Sequence, residues 1–108
     1  MNKWNNSKTE DLIKAILVME SPKEARMFLR DLLTEKELVE FGNRWRAAKM
    51  LNDKITYSEI VKETGLSSTT VARISKWLKG GMGGYGLVLS RICKNHHSVS
   101  SHSGKRLI

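Results

Sequence analysis

TYSEIVKETGLSSTTVARISKWLK, residues 56–79, is the stretch on which the reading of the fold turns. Thr56 with Glu59 three residues later forms a capping box: the hydroxyl accepts from a free amide of the first turn and the carboxylate reaches back to the cap's own amide. A helix is therefore predicted over 57–64, with Ile60 and Val61 turned inward. Gly65 supplies the left-handed residue of a tight turn and Leu66 plugs the corner. Ser67 or Ser68 then caps a second helix over 68–79, whose buried stripe is Val71, Ile74 and Leu78 at i, i+3 and i+7. Two short helices joined this way form a helix-turn-helix over about 57–79.

The other face of the second helix and its cap carry Ser67, Ser68, Thr69, Thr70, Ala72, Arg73 and Lys76. Short hydroxyl side chains and an alanine let the backbone approach base edges in a DNA major groove, and the free amides of a helix N-terminus favour a phosphate. Arg73 and Lys76 stand where they reach a guanine edge or the sugar-phosphate backbone. These seven residues are the candidate DNA-binding set, and the partner they imply is double-stranded DNA.

Working outward, the same cap pattern recurs as Ser7 with Glu10, Ser21 with Glu24, and Thr34 with Glu37, marking three earlier helix starts. The second is reinforced by Pro22 at the first helical position. Helices are predicted over 8–19, 22–32 and 35–52. The glycine-rich GGMGGYG, residues 80–86, ends the fifth helix and is expected to form a flexible joint, since each glycine costs about 1 kcal/mol in a helix relative to alanine. A sixth helix follows over 85–94, and the polar, basic remainder, 95–108, is expected to be disordered. The fold class is all-α, with about six helices in one DNA-binding domain over 1–94. Helix 8–19 carries Leu12, Ile13, Ala15, Ile16, Leu17, Val18 and Met19, more apolar surface than a single stripe, so a second subunit is expected.

Charge is distributed unevenly. Residues 1–40 hold seven Lys or Arg against eight Asp or Glu, net −1; residues 41–79 hold eight against three, net +5; residues 80–108 hold four against none, net +4. A positive field over one part of a small protein attracts a polyanion through counterion release. With no Asp or Glu after Glu63, the chain lacks the clustered carboxylates of a metal-dependent nucleic-acid enzyme, so no enzymatic activity is expected. The rival to a DNA-binding regulator is a protein-interaction adaptor built on the same helix pair, which would associate with DNA weakly and without salt dependence.

Cys93 is the single cysteine; with no signal-peptide pattern and no membrane-length apolar run, it fits a reducing cytoplasm. Cys93, His96, His97 and His102 have metal-ligand chemistry but no hydrophobic frame to hold a tetrahedral geometry, so neither a metal nor a cofactor is expected. Trp45 and Trp77 fall in apolar periodic segments and are predicted core.

LTEKELVEFGNRWRAAKMLNDKITYSEIVKETGLSSTTVARISKWLK, residues 33–79, resembles the tryptophan repressor, and GGYGLVLSRI, residues 83–92, is similar to the tail of the repressor-like YerC/YecD group. The likeness covers about residues 8–93. It implies an intertwined homodimer in which each subunit offers one helix-turn-helix to a half-site of a palindromic operator. It also implies an effector pocket, with Arg44 and Arg73 matching the two arginines that sandwich the effector's indole and Thr34 matching another pocket residue. Ile74 and Trp77 stand where that family has a glycine and a serine. The pocket is therefore expected to be filled by the protein's own side chains, with a Trp77 ring buried in it, and tryptophan is not the expected effector.

Overall fold

A computed structural model of the protein describes residues 3–100, with side chains described as far as Cys93. Six helices follow in order: α1 Ser7–Leu17, α2 Pro22–Leu32, α3 Glu35–Asn52, α4 Tyr57–Thr64, α5 Ser68–Gly80 and α6 Gly84–Ser100. No strand occurs among the described residues, and no helix there is long and apolar enough to cross a membrane.

The helix starts follow local hydrogen bonding. At Thr34 the capping box is complete: Glu37 N donates to Thr34 Oγ1 at 3.1 Å and Thr34 N donates to the Glu37 carboxylate at 2.9 Å. At Ser21 the hydroxyl accepts from Glu24 N at 3.2 Å, but the Glu24 carboxylate reaches Glu20 N, one residue further back, at 2.9 Å. Thr56 accepts from Glu59 N at 3.3 Å. The first cap differs from expectation. Asn6, not Ser7, caps α1, its Oδ1 accepting from Lys8 N at 2.9 Å and Thr9 N at 3.1 Å. Asparagine's acceptor serves this role as well as a serine hydroxyl, and it lies one residue upstream.

The chain divides into two compact units, with the boundary after Val39, inside α3. The first comprises α1, α2 and the opening turn of α3. Neither α1 nor α2 contains a buried residue; Leu12, Ile13, Ile16, Leu17, Met27 and Leu32 are all exposed. Each such side chain would contribute about 1.5–3 kcal/mol if fully removed from water.

The second unit holds the core. Ala47 and Ala48 of α3, Ile60 of α4, and Val71 and Ile74 of α5 are fully buried, with Trp45, Met50, Leu51, Ile55, Val61, Leu66 and Tyr85 packed around them. The two alanines are what α3 contributes to the fully buried centre of this cluster. Gly65 adopts φ 75° and donates its N–H to Val61 O at 2.8 Å, closing α4 in the left-handed cap that the sequence implies. Thr64, 7% exposed, adds a clamp: its hydroxyl donates to Ile60 O at 2.7 Å and accepts from Leu66 N at 3.2 Å. Thr64→Val keeps the shape and removes both bonds, leaving the half-buried Leu66 amide unpaired. A loss of about 1–3 kcal/mol in urea unfolding at fixed protein concentration is expected.

Two expectations change in the last third. The expected flexible joint is short: Gly80 closes α5, α6 begins at Gly84, one residue before the expected start at 85, and only Gly81–Gly83 fall outside a helix. Packing outweighs propensity here, because Tyr85 stacks on Trp45 with ring centroids 6.3 Å apart and planes at 20°, and Leu89 is buried. Helix α6 also runs to Ser100 rather than ending at 94. Polarity predicts disorder from 95, yet Lys94–Ser100 contains no glycine or proline to stop a helix. Residues 101–108, with His102, lie outside the described residues, as do the side chains of His96 and His97. Among the described residues no group of His, Cys, Asp or Glu is placed to hold a metal ion.

Candidate nucleic-acid interface

Helix α5 is held by one side and open on the other. Ser67 caps it, its Oγ accepting from Thr70 N at 3.1 Å and donating to Thr70 Oγ1 at 3.0 Å. Val71, Ile74 and Ser75 are buried and Leu78 is half-buried. At about 100° per residue these four span a sector of roughly 100°. Thr69, Ala72, Arg73 and Lys76 occupy a sector of similar width on the opposite side, and all four are exposed. Ser67 and Ser68 are exposed at the cap and Thr70 is half-buried on the flank.

The charges on this face form no ion pair among the described residues. The ion pairs formed among the described residues are Arg30–Glu35 at 3.7 Å, Arg44–Glu40 at 3.0 Å and Arg46–Glu63 at 3.2 Å; none involves Arg73 or Lys76. The Arg46–Glu63 pair ties α3 to α4 behind the turn. Both partners are half exposed, so its contribution is at most about 1 kcal/mol.

Of the residues aligned with an effector pocket, those of the second unit differ in exposure. Thr34 caps α3 and belongs to the first unit. Arg44 is half-buried with its guanidinium on Glu40, and its Nε has no hydrogen-bond partner among the described residues. Arg73 is exposed, and Ile74 is enclosed in the core. Trp77 departs from expectation: 42% of it remains exposed. It sits roughly 110° from the centre of the buried stripe, so it flanks the core rather than entering it. There it lines an open, largely apolar groove of about 910 Å³ with Trp45, Tyr85, Val88 and Ile92. Trp45, also predicted core, is half-buried against the core cluster.

Gly81 fixes where that groove begins. Its N–H donates to Trp77 O at 2.9 Å, and a Cβ added at Gly81 would stand 2.8 Å from that oxygen and 3.2 Å from Trp77 Cα. Those atoms are backbone and have no room to yield. Gly81→Ala is expected to cost about 1–3 kcal/mol and to alter the near-ultraviolet circular dichroism of the adjacent Trp77.

Sequence reasoning missed two polar residues that face inward, Thr64 and Ser75. Ser75 lies one turn after Val71, and that spacing is the signal that finds it.

Known proteins share both this architecture and its sequence. The family model described as Trp repressor protein matches residues 7–93. The Bacillus subtilis (strain 168) protein YerC is 30% identical over 101 residues, spanning 94% of this chain and 97% of its own length. The crystal structure of a TrpR like protein from Eubacterium eligens ATCC 27750 superimposes with a TM-score of 0.79 at 35% identity, covering 85% of this chain and 95% of that one. A structure from Staphylococcus aureus gives 0.77 at 32% identity, covering 83% and 90%. The match spans every helix from α1 to the described side chains of α6, and on it the chain belongs to the Trp repressor family.

Proposed function

We propose that this protein is a sequence-specific DNA-binding transcriptional regulator, a repressor acting in the cytoplasm as a homodimer that presents two copies of α5 to the half-sites of a palindromic operator. The observation that carries the reading is the outward face of α5. Thr69, Ala72, Arg73 and Lys76 are exposed and free of ion pairs among the described residues, while the opposite face is locked by Val71 and Ile74. A helix held rigidly by one side and cationic on the other is what close approach to a major groove requires.

Support for a second copy comes from the first unit. Leu12, Ile13, Ile16 and Leu17 of α1 are exposed, too much apolar surface for a small protein to leave in water without a partner. Support for indifference to tryptophan comes from Ile74, whose side chain is part of the core at a position where the resemblance places a glycine. Calorimetric titration with L-tryptophan is expected to give no heat of binding at millimolar ligand.

The test of the reading is selection of bound duplexes from random DNA, followed by titration at two salt concentrations. A palindromic sequence is expected, bound with an affinity that falls steeply as salt rises, because phosphate neutralisation releases counterions. Weak binding that is insensitive to salt, with no preferred sequence, would instead fit a protein-interaction adaptor.

A further inference from the structure

The hydroxyl-rich start of α5 divides into two pairs. Ser67 and Thr70 are committed to each other and to the cap, through the bonds of 3.1 and 3.0 Å between them. Ser68 and Thr69 stand outside that pairing and are exposed. Thr69 shares the outer sector with Ala72, one turn later and about 4.5 Å further along the axis. Together they form a small methyl-bearing spot beside the cationic pair Arg73 and Lys76.

That spot limits what can be recognised. Ala72 offers neither donor nor acceptor, so it can take no part in the hydrogen-bond code of a base edge. The apolar feature that a base pair displays in the major groove is the C5-methyl group of thymine. Dispersion contacts require separations near 4 Å, and a side chain as short as alanine reaches them only if the helix backbone itself lies close to the base. The short residues at 68, 69 and 72 permit that approach.

We propose that Ala72 and Thr69 read the C5-methyl group of one thymine in each half-site, so that the protein distinguishes thymine from uracil at that position. The inference rests on the DNA-reading function proposed above and adds the chemical group being read.

The test takes the duplex selected from random DNA and replaces each thymine of both half-sites, one position at a time, with deoxyuridine. Deoxyuridine keeps every hydrogen bond to adenine and lacks the methyl group. One thymine per half-site is expected to be sensitive, its replacement weakening binding by the wild-type chain about four-fold per half-site, the factor expected for one apolar carbon returned to water. Ala72→Gly and Thr69→Ser are each expected to bind the thymine duplex more weakly than wild type and to show a smaller thymine-to-deoxyuridine ratio. The deoxyuridine series uses unaltered protein, so it shows whether a methyl group is read even if a variant folds poorly; an unchanged thymine-to-deoxyuridine ratio in both folded variants would overturn the assignment to Ala72 and Thr69. A preferred sequence in which no thymine is methyl-sensitive would overturn this inference alone, leaving Ala72 as a helix-forming residue. A selection that returns no preferred sequence would overturn the DNA-reading proposal and this inference with it.

Discussion

Ile16→Glu is expected to convert the proposed homodimer into monomers at micromolar concentration. Ile16 lies on α1, a helix with no buried residue of its own and with Leu12, Ile13 and Leu17 exposed beside it. If a second copy covers this surface, a carboxylate at 16 must either be buried without a partner or hold the interface open. Truncating or charging a fully desolvated position costs about 3–5 kcal/mol, which corresponds to a weakening of the dimer by two to more than three orders of magnitude. Light scattering coupled to size exclusion would read the mass directly. Lys14→Glu is the control, since residue 14 projects roughly 160° away from 16; it should leave the dimer intact. A dimer that survives Ile16→Glu would remove this face of α1 from the interface.

The second large effect concerns affinity for DNA. Arg73→Ala and Lys76→Ala are each expected to weaken operator binding by about 1–3 kcal/mol, or 5- to 150-fold. The two losses should differ in kind. A guanidinium that forks onto a base edge carries sequence information, so Arg73→Ala should also relax discrimination at one position of each half-site. An ammonium on a phosphate carries none, so Lys76→Ala should weaken all duplexes alike and reduce the salt slope by about one for each phosphate no longer neutralised. Both side chains are exposed and outside every ion pair formed among the described residues, so neither substitution should move the thermal midpoint appreciably. Fluorescence anisotropy on the selected operator and on a scrambled duplex separates the two outcomes.

The helices are legible in the sequence because their ends are written in local chemistry. Thr34 with Glu37, Pro22 after Ser21, and Gly65 between Thr64 and Leu66 each fix a boundary through bonds spanning three or four residues. The inward and outward faces of α5 are legible for a similar reason, since Val71 and Ile74 set its phase. What escapes depends on partners distant in sequence. Stacking of Tyr85 on Trp45 favours a helix that starts already at Gly84, against glycine's propensity, and nothing in GGMGGYG itself announces Trp45. Trp77 reads as core because it follows Ile74 by three residues. A large ring at the edge of a stripe faces whatever neighbour the fold supplies, and here that is the open groove beside Tyr85 and Val88. Thr64 and Ser75 escape because a search for apolar periodicity passes over hydroxyls that the core accommodates.

Hydroxyl-radical footprinting of the wild-type chain on its selected operator tests the whole arrangement most directly. Two rods facing outward from a symmetric dimer should protect two equal patches whose centres lie about one helical turn, or a whole number of turns, apart on the same side of the duplex. Arg73→Ala should fade both patches together. A single protected patch, or protection that follows no helical phase and survives Arg73→Ala unchanged, would contradict the account of α5 as a paired reading helix.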